Sequence, residues 1–359
     1  MVKTLSTSNL YEPNKEKLLS VLQRFDGDLN GIVGSLEEAL KNYHETDFCV
    51  LFSTGFWALV AAARIKQKQE GSEVIMPSFT YRRLADVAFW AGLTPVFVDV
   101  DPVSLAISPK AVRNAVSSET ALILAVHPIV GCCDIEKIME ISETSNVPVI
   151  FDAVESVHET HGGKRIGSFG PGEVFSLHTS KLLNGMEGGY VCTNDREFSD
   201  KLGLYKDGAL EGSLPLRIDP VHALFALQSL EEIDQNVRHN KIIFDAYDAQ
   251  LADFPQLKLL RFEEAEQCAY KNIVAEVVDD ARFTRDALVV YLNKNGIMAR
   301  SHYSPPLHDK NHSFATREKG LVVTNEMKSK FINLPCGQRV SEQDVADICD
   351  MIRGFSHEQ

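Results

Sequence analysis

Short runs in which apolar residues follow one another alternate along this chain with longer stretches whose apolar positions recur three and four apart. The runs Phe48–Phe52, Glu73–Met76, Pro95–Val100, Ala121–Val126 and Pro148–Asp152 read as strands. The stretches Phe56–Lys66, Tyr81–Trp90, Pro109–Val116 and Ile135–Thr144 read as helices between them. Strands that alternate with helices need crossover connections, so the pattern predicts a mostly parallel sheet. Apolar residues on consecutive rather than alternate positions predict strands buried on both faces. Glu173–His178 and Gly189–Thr193 add two more strands, and Ser35-Leu36-Glu37-Glu38 has the spacing of a capping box, predicting a helix from there to about Glu45.

Beyond Asp219 the pattern turns helical over Val221–Val237 and Ile242–Leu251, as a connector would. From about Pro255 a second pattern begins: strands at Leu257–Phe262, Ile273–Val278 and Ile297–His302, and helices over Thr284–Asn295 and Ser341–Arg353. The prediction is a large α/β domain over residues 1–254 and a smaller α+β domain over residues 255–359. The length agrees, because 359 residues exceed the roughly 250–300 that one core supports.

Charge narrows the partners. Thirty-six basic against 50 acidic residues give a net charge of −14, the opposite of what nucleic acid or an anionic membrane attracts. No apolar run reaches the roughly 18 residues of a membrane span, and Met1-Val2-Lys3-Thr4 opens no secretory leader, so a cytoplasmic protein is expected. The seven cysteines are scattered with no Cys-x-x-Cys pair, which predicts neither a disulfide framework nor a zinc site.

Ligands of an open parallel sheet collect at the carboxyl ends of its strands. Four such ends are unusual here. Ser53-Thr54-Gly55 precedes the Phe56 helix and can turn backbone N–H groups toward a phosphate, although an ordinary strand-to-helix turn would look the same. Asp152 ends an apolar strand, where a carboxylate needs a cation beside it or caps a helix. Phe175-Ser176-Leu177-His178-Thr179-Ser180-Lys181 runs from a strand into hydroxyls, an imidazole and a lysine, followed by Gly185-Met186-Glu187-Gly188-Gly189. Pro77-Ser78-Phe79-Thr80-Tyr81 sets an aromatic ring just past a strand. A phosphate cradle, a buried carboxylate, an aromatic face and a lysine are together what holds pyridoxal phosphate, and no metal is called for.

These motifs, with Phe52-Ser53-Thr54-Gly55, Pro95-Val96-Phe97-Val98-Asp99-Val100-Asp101-Pro102, Phe151-Asp152-Ala153-Val154-Glu155-Ser156 and Glu187-Gly188-Gly189, resemble the DegT/DnrJ/EryC1/StrS sugar aminotransferases from about Leu29 to Phe355. The resemblance implies the aspartate aminotransferase fold (fold type I) and a homodimer that shares its active sites. It implies Lys181 as the lysine that binds the cofactor as a Schiff base, Asp152 on the pyridinium nitrogen, Tyr81 on the ring, and Gly55, Phe56 and Ser176 around the phosphate. Glu155 falls beside the phenolic oxygen, where the family usually has glutamine. His302, Tyr303 and His308 fall in a stretch that touches substrate.

Two further departures stand out. Val157 occupies the place of a common histidine, with His158 next to it, and Pro215 stands where a partner-subunit asparagine is usual, although Arg217 keeps the basic position. The resemblance implies transfer of an amino group from an amino acid, L-glutamate, to a keto sugar linked to a nucleotide, or to an aminocyclitol precursor. Dehydration of a keto-deoxysugar belongs to members with histidine in place of the lysine, so Lys181 opposes it. A non-catalytic cofactor-binding regulator would not need Lys181, Asp152, Tyr81 and Ser176 together.

Overall fold

A computed structural model describes residues 5–6, 11–24 and 29–358. Its centre is an eight-stranded sheet in the order Arg317–Lys319, Thr94–Val98, Glu73–Pro77, Thr120–Val126, Val149–Asp152, Glu173–Ser176, Gly189–Thr193, Phe48–Phe52. All neighbours are parallel except Gly189–Thr193, which runs antiparallel to both of its own.

Successive side chains of a strand point to opposite faces. Val50 and Phe52 accordingly pack with the helices Gly55–Lys66, Leu84–Ala91 and Arg196–Lys206, while Leu51 packs on the other face with Leu29–His44 and Ile135–Ser145. Ile150 against Val149 and Phe151 divides in the same way. Each face needs its own apolar half, which is why the strands read as unbroken apolar runs.

The second sheet is antiparallel throughout, in the order Leu257–Leu259, Ile273–Val277, Phe331–Leu334, Arg300–His302. Its core includes residues of Ile233–Leu251, Arg285–Lys294 and Glu342–Glu358. The expected strand over Ile297–His302 is two: Ile297–Met298 pairs with Leu5–Ser6, and Arg300–His302 joins the small sheet.

Three features depart from the sequence pattern. The first long helix is Leu29–His44, so Ser35 lies inside it and its hydroxyl donates to the Gly31 carbonyl at 2.8 Å instead of capping. Phe331–Leu334 is a central strand, its period broken by Asn333, which is buried and donates to Asn272. Arg317–Lys319 leaves the small domain's stretch of sequence and adds an edge strand to the large sheet. No helix among the described residues is long and apolar enough to cross a membrane.

Candidate active site

The parallel strands end together, so Phe52, Pro77, Asp152 and Ser176 share one rim of the sheet. Thr54 caps the Gly55–Lys66 helix: its hydroxyl accepts from Trp57 N–H at 3.1 Å, and its carbonyl takes the Ala58 N–H. The N–H groups of Gly55 and Phe56 are left without an acceptor among the described residues. A Cβ on Gly55 would lie 2.9 Å from Ser176 Cβ, and one on Gly189 would lie 2.4 Å from Gly55 Cα. Only with glycine at both places can the helix start sit on the strand ends, which brings two free amides beside the Ser176 hydroxyl. That combination is an anion cradle.

Lys181 stands on a tight loop. Its N–H donates to His178 O, Thr179 N–H to Met186 O and Leu177 N–H to Gly188 O. Met186 takes a left-handed conformation, φ 67°, while its N–H is held by Asn184 Oδ1 at 2.7 Å. The Lys181 ammonium donates to Glu155 Oε1.

Asp152 is buried, and one carboxylate oxygen accepts from Val154 N–H at 3.2 Å. No ion pair holds it among the described residues. Burial pushes it up to about 6 against the pull of Val154 N–H and Lys181, with Glu155 adding to the rise. Lys181 acts on Asp152 only at a distance, so the paired cation expected there is not a described side chain; a protonated ring nitrogen would fill that role. Glu155 shows the opposite balance. Burial raises its pKa, but the Lys181 and Lys271 ammonium groups outweigh it and hold the carboxyl well below the usual range.

From the small domain, His302 is buried edge-on against Phe79, and burial lowers it to about 3, so its ring is neutral. Tyr303 lies against His302 and Phe79, and burial together with the charges of Glu155 and Asp152 raises its phenol. Tyr81 is 47% exposed.

The remaining candidates lie outside the Lys181–Asp152 cluster. His308 bonds through Nδ1 to Ser78 Oγ at 2.6 Å and through Nε2 to Asn325 Oδ1 at 3.2 Å, so both ring nitrogens are spent holding the loop. Arg217 is an exposed residue paired with Asp207 at 2.7 Å. Val157 is core, and His158 Nδ1 bonds to Tyr43 OH at 2.7 Å, so neither supplies an imidazole to the Lys181 cluster. Lys271 and Asn272 did not emerge from the sequence. The available signal was Glu155 itself, since a buried carboxylate asks for counter-charge.

Free backbone amides beside a serine hydroxyl, a buried carboxylate and a loop lysine, set on the rim of a fold type I sheet, are the parts a pyridoxal-phosphate enzyme needs. The chain belongs to the DegT/DnrJ/EryC1/StrS aminotransferase family, whose profile matches residues 16–353. It is 26% identical over 329 residues to the GDP-perosamine synthase of Vibrio cholerae, covering 89% of this chain and 88% of that one. A second GDP-perosamine synthase, from Caulobacter vibrioides, is 29% identical over 324 residues, with 86% of each chain covered. Among solved structures, DesI in the presence of its TDP-sugar product has a TM-score of 0.91 at 24% identity, covering 99% of this chain and 94% of that one. The protein is a pyridoxal-phosphate-dependent aminotransferase.

Proposed function

We propose that this aminotransferase moves the amino group of an amino acid, with L-glutamate as donor, onto the keto group of a nucleotide-linked sugar. The relatives named for GDP-perosamine synthesis support a nucleotide-sugar acceptor. When bound, pyridoxal phosphate supplies the carbonyl that takes up the amino group and the electron sink that labilises the substrate proton. The Gly55 and Phe56 amides and the Ser176 hydroxyl would hold the phosphate, Asp152 the ring nitrogen and Tyr81 the ring. Lys181 would hold the cofactor covalently and carry protons at Nζ. Glu155 Oε1 holds that amine in place. His302 and Tyr303 line the substrate side as neutral groups, His308 positions their loop, and Arg217 comes from the partner subunit of a homodimer.

The observation that carries this assignment is the convergence of Lys181, Asp152 and the Gly55–Ser176 cradle on one rim. Borohydride reduction of the loaded protein should fix the cofactor to the Lys181 peptide, and Lys181→Ala should bind cofactor without fixation; labelling of another lysine would reject the assignment. Single-turnover loss of the amino-form cofactor absorbance against a panel of nucleotide-linked and free keto sugars tests the acceptor. Reaction with the free sugars alone would reject the nucleotide-linked reading.

A further inference from the structure

Glu155 carries an ammonium group on each oxygen. Lys181 donates to Oε1, Lys271 donates to Oε2 at 2.9 Å, and Asn272 Nδ2 lies 3.4 Å from the same Oε2. The three charged groups come from three places: the loop after Val149–Asp152, the loop after Glu173–Ser176, and the segment entering the small-domain strand Ile273–Val277. Side-chain exposures of 15, 16 and 8% for Glu155, Lys181 and Lys271 take all three largely out of water. With Asp152 the cluster holds two carboxylates and two ammonium groups.

We propose that Lys271 is a positioning residue for amino transfer: it is the cation that stays on Glu155 Oε2, keeping Glu155 an anion and in place while the Lys181 amine is engaged covalently. The proposal rests on Lys181 being the covalent lysine. Burial alone favours the protonated carboxyl by up to several pKa units. Glu155 is held low because two ammonium groups outweigh that cost, and covalent engagement of Lys181 would weaken one of them.

The groups facing Glu155 from other elements offer no substitute. Asp152 and Glu159 are carboxyls that burial raises, so neither can supply positive charge. Tyr11 and Tyr303 are raised by burial and stay neutral, and His302 is lowered to about 3 and is uncharged. Among the described residues Lys271 is the one other cation hydrogen-bonded to Glu155. A carboxylate fixed in this way presents Oε1 to the Lys181 ammonium each time the free lysine returns, so the lysine meets the same partner in both halves of the reaction.

The test is the pH dependence of the visible cofactor band in the loaded enzyme, from about pH 5 to about pH 9, compared among wild type, Lys271→Met, Lys271→Arg and the Lys271→Met/Glu155→Gln double variant. Lys271→Met should gain a transition at least ~2 units above the ~4.3 of an ordinary glutamate. Lys271→Arg should restore the wild-type profile, and the double variant should lack the new transition. A Lys271→Met profile that superimposes on wild type, or a transition that persists in the double variant, would overturn the proposal.

Borohydride mapping separates the two assumptions. Label on Lys181 with superimposed titrations rejects the role of Lys271 alone, while label elsewhere rejects the Lys181 reading and this proposal with it. Should Lys271→Met not fold, isotope-edited infrared difference spectra of wild type, loaded minus cofactor-free, give the same decision. No protonated glutamate should be gained on loading, and a gain would overturn the proposal.

Discussion

At the scale of single residues, Asp152 makes the cofactor-free protein sensitive to pH. Its carboxyl has an ordinary value of 3.8 and rises to about 6 when buried in the fold. A raised carboxyl gives stability that is fully present below the unfolded value and is lost as pH climbs through the folded one. The loss above pH 6 is about 3 kcal/mol. In urea unfolding of cofactor-free protein, Asp152→Asn should therefore gain most of this amount on wild type between pH 4 and pH 7, and loading with cofactor should shrink the gap. A gap that does not change with pH would remove Asp152 from the buried, uncompensated state assigned to it. Asp152, Ser176 and Lys181 were legible in the sequence because each ends or follows an apolar run. Lys271 was not: a lysine ahead of a strand is ordinary, and only the meeting of the two domains over Glu155 buries it.

At the scale of elements, the seat of the Gly55–Lys66 helix on the strand ends decides whether phosphate can bind. Alanine at position 189 would set its Cβ 2.4 Å from the Gly55 Cα, against backbone that cannot rotate away. Gly189→Ala should therefore lower cofactor affinity by roughly tenfold or more, on the order of 1.4 kcal/mol, as read by equilibrium titration, while Gly203→Ala, with open space around it, should bind as wild type. Equal affinities would show that the helix start does not form the cradle. The sheet that carries this cradle was readable because both of its faces are buried, so its strands announce themselves as apolar runs. Arg317–Lys319 gave no such signal, since its Arg-Glu-Lys side chains are exposed and its ladder with Thr94–Val98 is made by backbone. The helix at Leu29 was misjudged for a different reason: a serine inside a helix can satisfy itself on the preceding turn, and then the capping spacing means nothing.

At the scale of the whole molecule, residues that the family resemblance puts in shared sites lie exposed in the single chain: Tyr81 is half exposed, and Arg217 is exposed with its Asp207 partner. If a second copy completes the site, sedimentation of the loaded protein should give a dimer, and Arg217→Ala should reduce turnover more than cofactor content. An active monomer at micromolar concentration would refute the shared site.

The edge strand Arg317–Lys319 also fixes an order of events in synthesis. Its neighbour Thr94–Val98 leaves the ribosome some two hundred residues earlier, and until Arg317 follows, it presents unpaired backbone at the border of an apolar sheet. The large domain therefore cannot be finished when its own stretch of chain has been made. It waits, with an adhesive margin, for three charged residues from within the small domain's stretch of sequence, and Arg317 seals that margin by pairing with Glu73 one strand further in.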